Sequence, residues 1–207
     1  MSLKKEKIDK LRMEIRDANE TKDWNRCESI CRDALAKVSE DDFTYWYAFS
    51  LNLACGLVCN EDSDDRASKI EEAISIYNKI LQKLSVPKDK NTWASIQGNL
   101  GYAYSLRLEG NQMTNINKAI EHFEQSLQVF SPDNQLEDWI LAKRMLAKLF
   151  AVKTDTSVQE NLMTAIELCE EVLGKCNDES TREHKIEVQE MIDEFRKRLN
   201  FVRDRLK

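Results

Sequence analysis

The chain has 207 residues, 33% of them charged, with 31 Lys and Arg against 37 Asp and Glu for a net charge of −6. That balance excludes the basic footprint of a nucleic-acid binder, and no apolar run of membrane-spanning length occurs in the sequence. With only 5 Gly and 2 Pro the chain has few turns, so an all-α protein is expected, and a polar, Lys-rich start without the apolar core of a signal peptide predicts a cytoplasmic one.

The first helical pattern, over 4–19, puts Ile8, Leu11, Ile15 and Ala18 on one face. Asp23 is placed to cap a second helix over 24–38, closing a first unit at 4–38. The second unit, 42–84, opens with a helix over 42–59 carrying Phe43, Tyr45, Trp46, Tyr47 and Phe49. Five rings so close together cannot share one helix face, so this segment packs on more than one side or presents a contact surface. An acidic loop over 60–65 follows, then a helix over 67–84, and Val86 with Pro87 closes the unit.

The third unit, 92–130, holds helices over 92–108 and 115–130 and ends at Ser131, Pro132 and Asp133. The fourth, 136–175, holds helices over 136–153 and 158–175, with Ser157 and Glu160 forming a capping box. Ser180 and Glu183 predict another box at the start of a last helix, 180–206. Its Val188, Ile192, Phe195, Leu199, Val202 and Leu206 make a heptad seam. Such a helix seals the open end of a stack, or pairs with a second copy as a homodimer.

The units repeat. Steps of 46 link Cys27, Ala73, Ala119 and Ala165; Trp24, Ile70, Ile116 and Leu162; Cys31, Tyr77, Phe123 and Cys169; and Leu35, Leu81, Leu127 and Leu173. In the preceding helices Trp46, Trp93 and Trp139 recur at 47 and 46, as do Leu53, Leu100 and Leu146, and Ala54, Gly101 and Ala147. Leu100, Gly101 and Tyr104, followed by Ala119 and Phe123, resemble the two helices of a tetratricopeptide repeat. The long period, with 18 positions from Gly101 to Ala119, is similar to the bacterial arrays found beside CHAT protease domains, although no protease is present here. Trp93, seven residues before Leu100, does not match the family's first-helix Trp.

The resemblance implies a right-handed α-solenoid of four helix pairs plus a capping C-terminal helix, one domain over 1–207. It also implies a non-catalytic scaffold or adaptor that holds a peptide or protein segment in a concave groove. Counting from the motif Leu carries that face onto Arg12, Arg16, Asn52, Asn99, Tyr102, Arg144 and Lys148. Asn52 and Asn99 match the family's groove Asn, Tyr102 is the expected aromatic anchor, and the four cations favour an acidic peptide. The chaperone-tail pattern of some relatives is missing. The alternative is a structural part that self-assembles through the C-terminal seam.

Chemistry is poorly provided for. Six cysteines without a secretory signal read as reduced thiols. Cys27 and Cys31 sit in core slots, while a zinc site would need them to converge with Cys55 and Cys59. Asn60, Asp62, Asp64 and Glu71 echo a calcium loop but lack its first Asp and its Gly. Of the two histidines, His122 follows the helix beside core Phe123 and is expected to point outward, and no nucleophile arrangement involves it or His184. No catalytic residue, metal or cofactor is predicted.

Overall fold

The computed structural model describes residues 5–85, 88–177 and 179–205. Among them are nine α-helices and a 3-10 turn, and no strand. The helices are α1 (Lys5–Glu20), α2 (Trp24–Leu35), α3 (Phe43–Cys59), α4 (Arg66–Lys83), α5 (Lys90–Leu106), α6 (Gln112–Ser126), α7 (Leu136–Val152), α8 (Val158–Leu173) and α9 (Arg182–Arg205). None of these helices is long and apolar enough to cross a membrane. The expected closure at Val86 and Pro87, and the last seam residue Leu206, lie outside the described residues.

Contacts gather into two compact units. Residues 5–84 with Leu106–Leu108 form the first, and Ser85–Ser105 with residues 109–205 form the second. In the first, α1 packs on α2, α2 on α3 and α3 on α4; in the second, α6 packs on α7, α7 on α8 and α8 on α9.

The repeat positions share an environment. Cys27, Ala73, Ala119 and Ala165 are all fully buried, and so, nearly, are Cys31, Tyr77, Phe123 and Cys169. Leu35, Leu81, Leu127 and Leu173 are half-buried in every unit. Trp24 departs from its slot: it is half-buried where Ile70 and Leu162 are sealed. Gly101 shows why one position must be small, because a Cβ there would stand 2.8 Å from the Phe123 ring. The glycine lets α6 lay that ring against α5, a close crossing that any side chain would obstruct.

Caps set several boundaries. Asp23 accepts the Arg26 amide at 3.0 Å, as expected, and Ser157 accepts the Glu160 amide at 3.3 Å. Helix α6 begins at Gln112, three residues before the periodicity places it, because Gly110 turns the chain with φ 81° and Asn111 then caps the Thr114 amide. It also ends early, at Ser126, whose hydroxyl bonds the Phe123 carbonyl. A 3-10 turn over Glu179–Thr181 leads into α9, so buried Thr181 stands directly before the helix.

The aromatic helix α3 buries Trp46 and Phe49 and half-buries Phe43, Tyr45 and Tyr47. Lys79 and Lys83 of α4 lie 5.6 and 5.3 Å from the Trp46 ring, so part of this cluster is a cation–π seam between helices. In α9 the seam residues Val188, Ile192, Phe195 and Leu199 are buried, and the helix lies on α8. The heptad face is thus occupied within the chain.

Candidate groove on the second unit

Faces of two helices, α5 and α7, build the groove. On α5, Ser95, Gly98, Asn99 and Tyr102 follow the three-and-four spacing of one helix face, and on α7 Asp138, Leu141, Met145 and Lys148 do the same. With Arg144, and with Phe123, Ser126 and Phe130 behind them, they enclose about 400 Å³. Four of the residues singled out from the sequence, Asn99, Tyr102, Arg144 and Lys148, therefore line one cavity.

Arg144 and Lys148 are already engaged. Glu187 of α9 pairs with Arg144 and stands 3.9 Å from Lys148. The Arg144 side chain is only 12% exposed, against 50% for Lys148. Burial pushes the Arg144 guanidinium down from its ordinary value. Its Nη1 meets His184 Nδ1 at 3.3 Å, and His184 Nε2 meets Glu137 Oε2 at 2.7 Å. A chain of polar contacts so ties the start of α9 to α7. Arg144 Nε is buried with no hydrogen-bond partner, which leaves this end of the groove short of an acceptor.

The opposite end carries Asp138, exposed in the first turn of α7. Partial burial of the carboxyl and the neighbouring Glu137 push it above the usual carboxylate range. Among the described residues no cation pairs with it. The floor between the two ends is apolar, with Phe123 and Phe130 nearly sealed and Leu141 54% exposed.

The remaining three expected residues lie in the first unit. Arg12 and Arg16 are exposed on α1, and Arg16 sits 3.7 Å from Glu20. Asn52 donates to the Ala48 carbonyl at 2.8 Å and accepts from Asn19 at 3.0 Å, so its amide ties α3 to α1. Gly98, Asp138 and the Glu137, His184 and Glu187 contacts were not anticipated. Gly98 carried a signal, a helix-interior glycine outside the repeat motif.

His122 does not point outward as expected. Its ring is half-buried, stacks on Tyr104 at 5.3 Å and meets Gln97 Oε1 at 2.6 Å, because Gln97 is itself buried and needs a partner. Burial pushes the imidazole down.

The four thiols of the first unit lie at the packed boundary of α2 and α3. Cys27 is a free thiol hydrogen-bonded to the Cys31 thiol, and its sulfur sits 3.5 Å from where a Gly56 Cβ would stand. Tyr77 Oη contacts Cys55 Sγ at 3.4 Å. The bond to Cys27 and burial raise the Cys31 thiol, and burial pushes Cys55 up to about 11. Among the described residues no cluster of His, Cys, Asp and Glu is arranged to hold a metal ion. Glu71, the last residue of the calcium-like pattern, instead grips Arg107 at 2.5 and 3.0 Å.

Comparison with protein-family models, with curated proteins and with solved structures gave no match.

Proposed function

We propose that the chain is a non-catalytic interaction scaffold of the tetratricopeptide type, a right-handed α-solenoid that takes a peptide or protein segment in its groove. The observation that carries this reading is the cavity between α5 and α7, where Asn99, Tyr102, Arg144 and Lys148 meet over an apolar floor. Such a concave, largely apolar cleft with a few polar groups is what recognition of a short segment requires. The partner is a protein, encountered in the cytoplasm. The resemblance to bacterial arrays beside CHAT domains supports that setting.

Self-assembly through the α9 seam is the second reading, and it draws no support from a helix whose apolar face rests on α8. The experiment is affinity capture from native lysate with wild type, Gly98→Met and Tyr102→Ala. A partner lost in both variants supports the groove. A partner retained by both overturns it.

A further inference from the structure

Gly98 is the starting point. A glycine inside a helix is less favourable than an alanine, and packing usually explains why one is kept. Gly101 has such an explanation in Phe123. Gly98 has none: a Cβ built on it meets nothing within 4 Å, and the space it leaves open belongs to the groove. A helix surface without a side chain lets another backbone come close.

The charges around that opening are unequal. Asp138 and Lys148 are ten residues apart on α7, which is about 15 Å along a helix. The Asp138 end holds a carboxylate that no cation among the described residues pairs with. The Lys148 end holds two cations served by the single carboxylate of Glu187, and it includes the acceptor-less Nε of Arg144. Apolar wall lies between them. In an extended chain alternate side chains point the same way, so three of them at i, i+2 and i+4 span about 13 Å. That length matches the separation of the two charged ends.

We propose that the groove takes an extended partner segment of one charge polarity: a basic side chain at Asp138, an apolar one over Gly98, and an acidic one at Lys148 and Arg144. The inference rests on the groove reading above and narrows its occupant from an acidic peptide to one of mixed charge. Affinity comes from burying the apolar side chain, and the charges fix the register.

The test uses the full chain and four capped pentapeptides: Lys-Ser-Leu-Ser-Glu, its Leu-to-Ala form, and the two forms with Lys at both ends or Glu at both ends. Backbone amide shifts of Gly98, Asn99, Tyr102, Leu141 and Lys148 report binding. The mixed-charge peptide should bind roughly fivefold tighter than either like-charged one, and the Ala form about tenfold more weakly. Asp138→Lys should reverse the order in favour of the Glu-ended peptide. Gly98→Met should abolish all four sets of shifts without lowering helicity or melting temperature, a combination that a packing role for Gly98 could not produce.

A like-charged peptide that binds as tightly as the mixed-charge one overturns the polarity. Absence of groove shifts with every peptide overturns the occupant; if Gly98→Met still loses the captured lysate partner, the groove reading survives that failure. If Gly98→Met neither blocks a peptide nor loses that partner, both fall.

Discussion

His184 Nδ1 lies 3.3 Å from Arg144 Nη1, which fixes the imidazole proton on the other nitrogen. A guanidinium has only donors, so Nδ1 must accept and Nε2 must carry the hydrogen that Glu137 receives at 2.7 Å. Long-range nitrogen–proton correlation spectra of the neutral ring should therefore show the Nε2–H form. An Nδ1–H form would mean that Arg144 is held elsewhere. His184→Ala should cost about 1–2 kcal/mol in urea unfolding, since it strips an acceptor from an almost buried arginine that already has one unmatched donor.

Two glycines three positions apart should respond in opposite directions. Gly101→Ala drives a methyl to 2.8 Å from the Phe123 ring, and overpacking at that crossing should lower stability by about 1–3 kcal/mol. Gly98→Ala adds a methyl in open space and should raise stability by up to about 1 kcal/mol. Thermal melts of the two variants decide it. A loss at Gly98 comparable with that at Gly101 would mean its small size serves packing.

Much of this arrangement is legible in the sequence, and the illegible part has a common cause. The 46-residue step identifies buried slots such as Ala73 and Phe123 because the period records which helix face meets its neighbours. It misplaces the start of α6, which depends on Gly110 and Asn111 rather than on apolar spacing. Motif counting brings Asn99, Tyr102, Arg144 and Lys148 to one cavity, since a position in a helix fixes its face. It is silent on who engages them: Glu187 reaches Arg144 from a helix 43 residues on, and Asn19 reaches Asn52 from 33 residues back. Pairing across helices depends on distance in space, which no spacing in one chain displays.

The first unit contains an acid-sensitive pair. Glu28 on α2 meets the nearly buried Lys69 at 2.9 Å and Arg32 at 3.0 Å. Burial alone would push the Glu28 carboxyl up, but the two cations together outweigh it and hold it below its ordinary value of 4.5. A depressed carboxylate contributes stability above its unfolded value and loses it as pH falls through the folded one. Glu28→Gln should thus destabilise by about 1–3 kcal/mol at neutral pH, leaving the Lys69 ammonium only the exposed Asp65 carboxylate at 3.6 Å. The gap to wild type should close as pH drops below 4.5. Urea midpoints at a series of pH values measure it, and a gap that persists in acid would assign the loss to packing instead.

Thiol reactivity offers a check on the packing of α2 and α8. Cys27, Cys31 and Cys169 are at most 1% exposed, and burial pushes Cys169 up to about 11. A thiol must be both ionised and reachable to alkylate. At neutral pH these three should label only as fast as the native chain opens, whereas half-buried Cys59 should label first among the thiols of the first unit even with its own ionisation pushed up by burial. Peptide mapping after a short pulse of iodoacetamide gives the order. Adding urea to just below the transition should accelerate Cys27, Cys31 and Cys169 far more than Cys59, because their reaction must wait for unfolding. Immediate labelling of Cys27 in native buffer would contradict the close approach of α2 to Gly56 on α3.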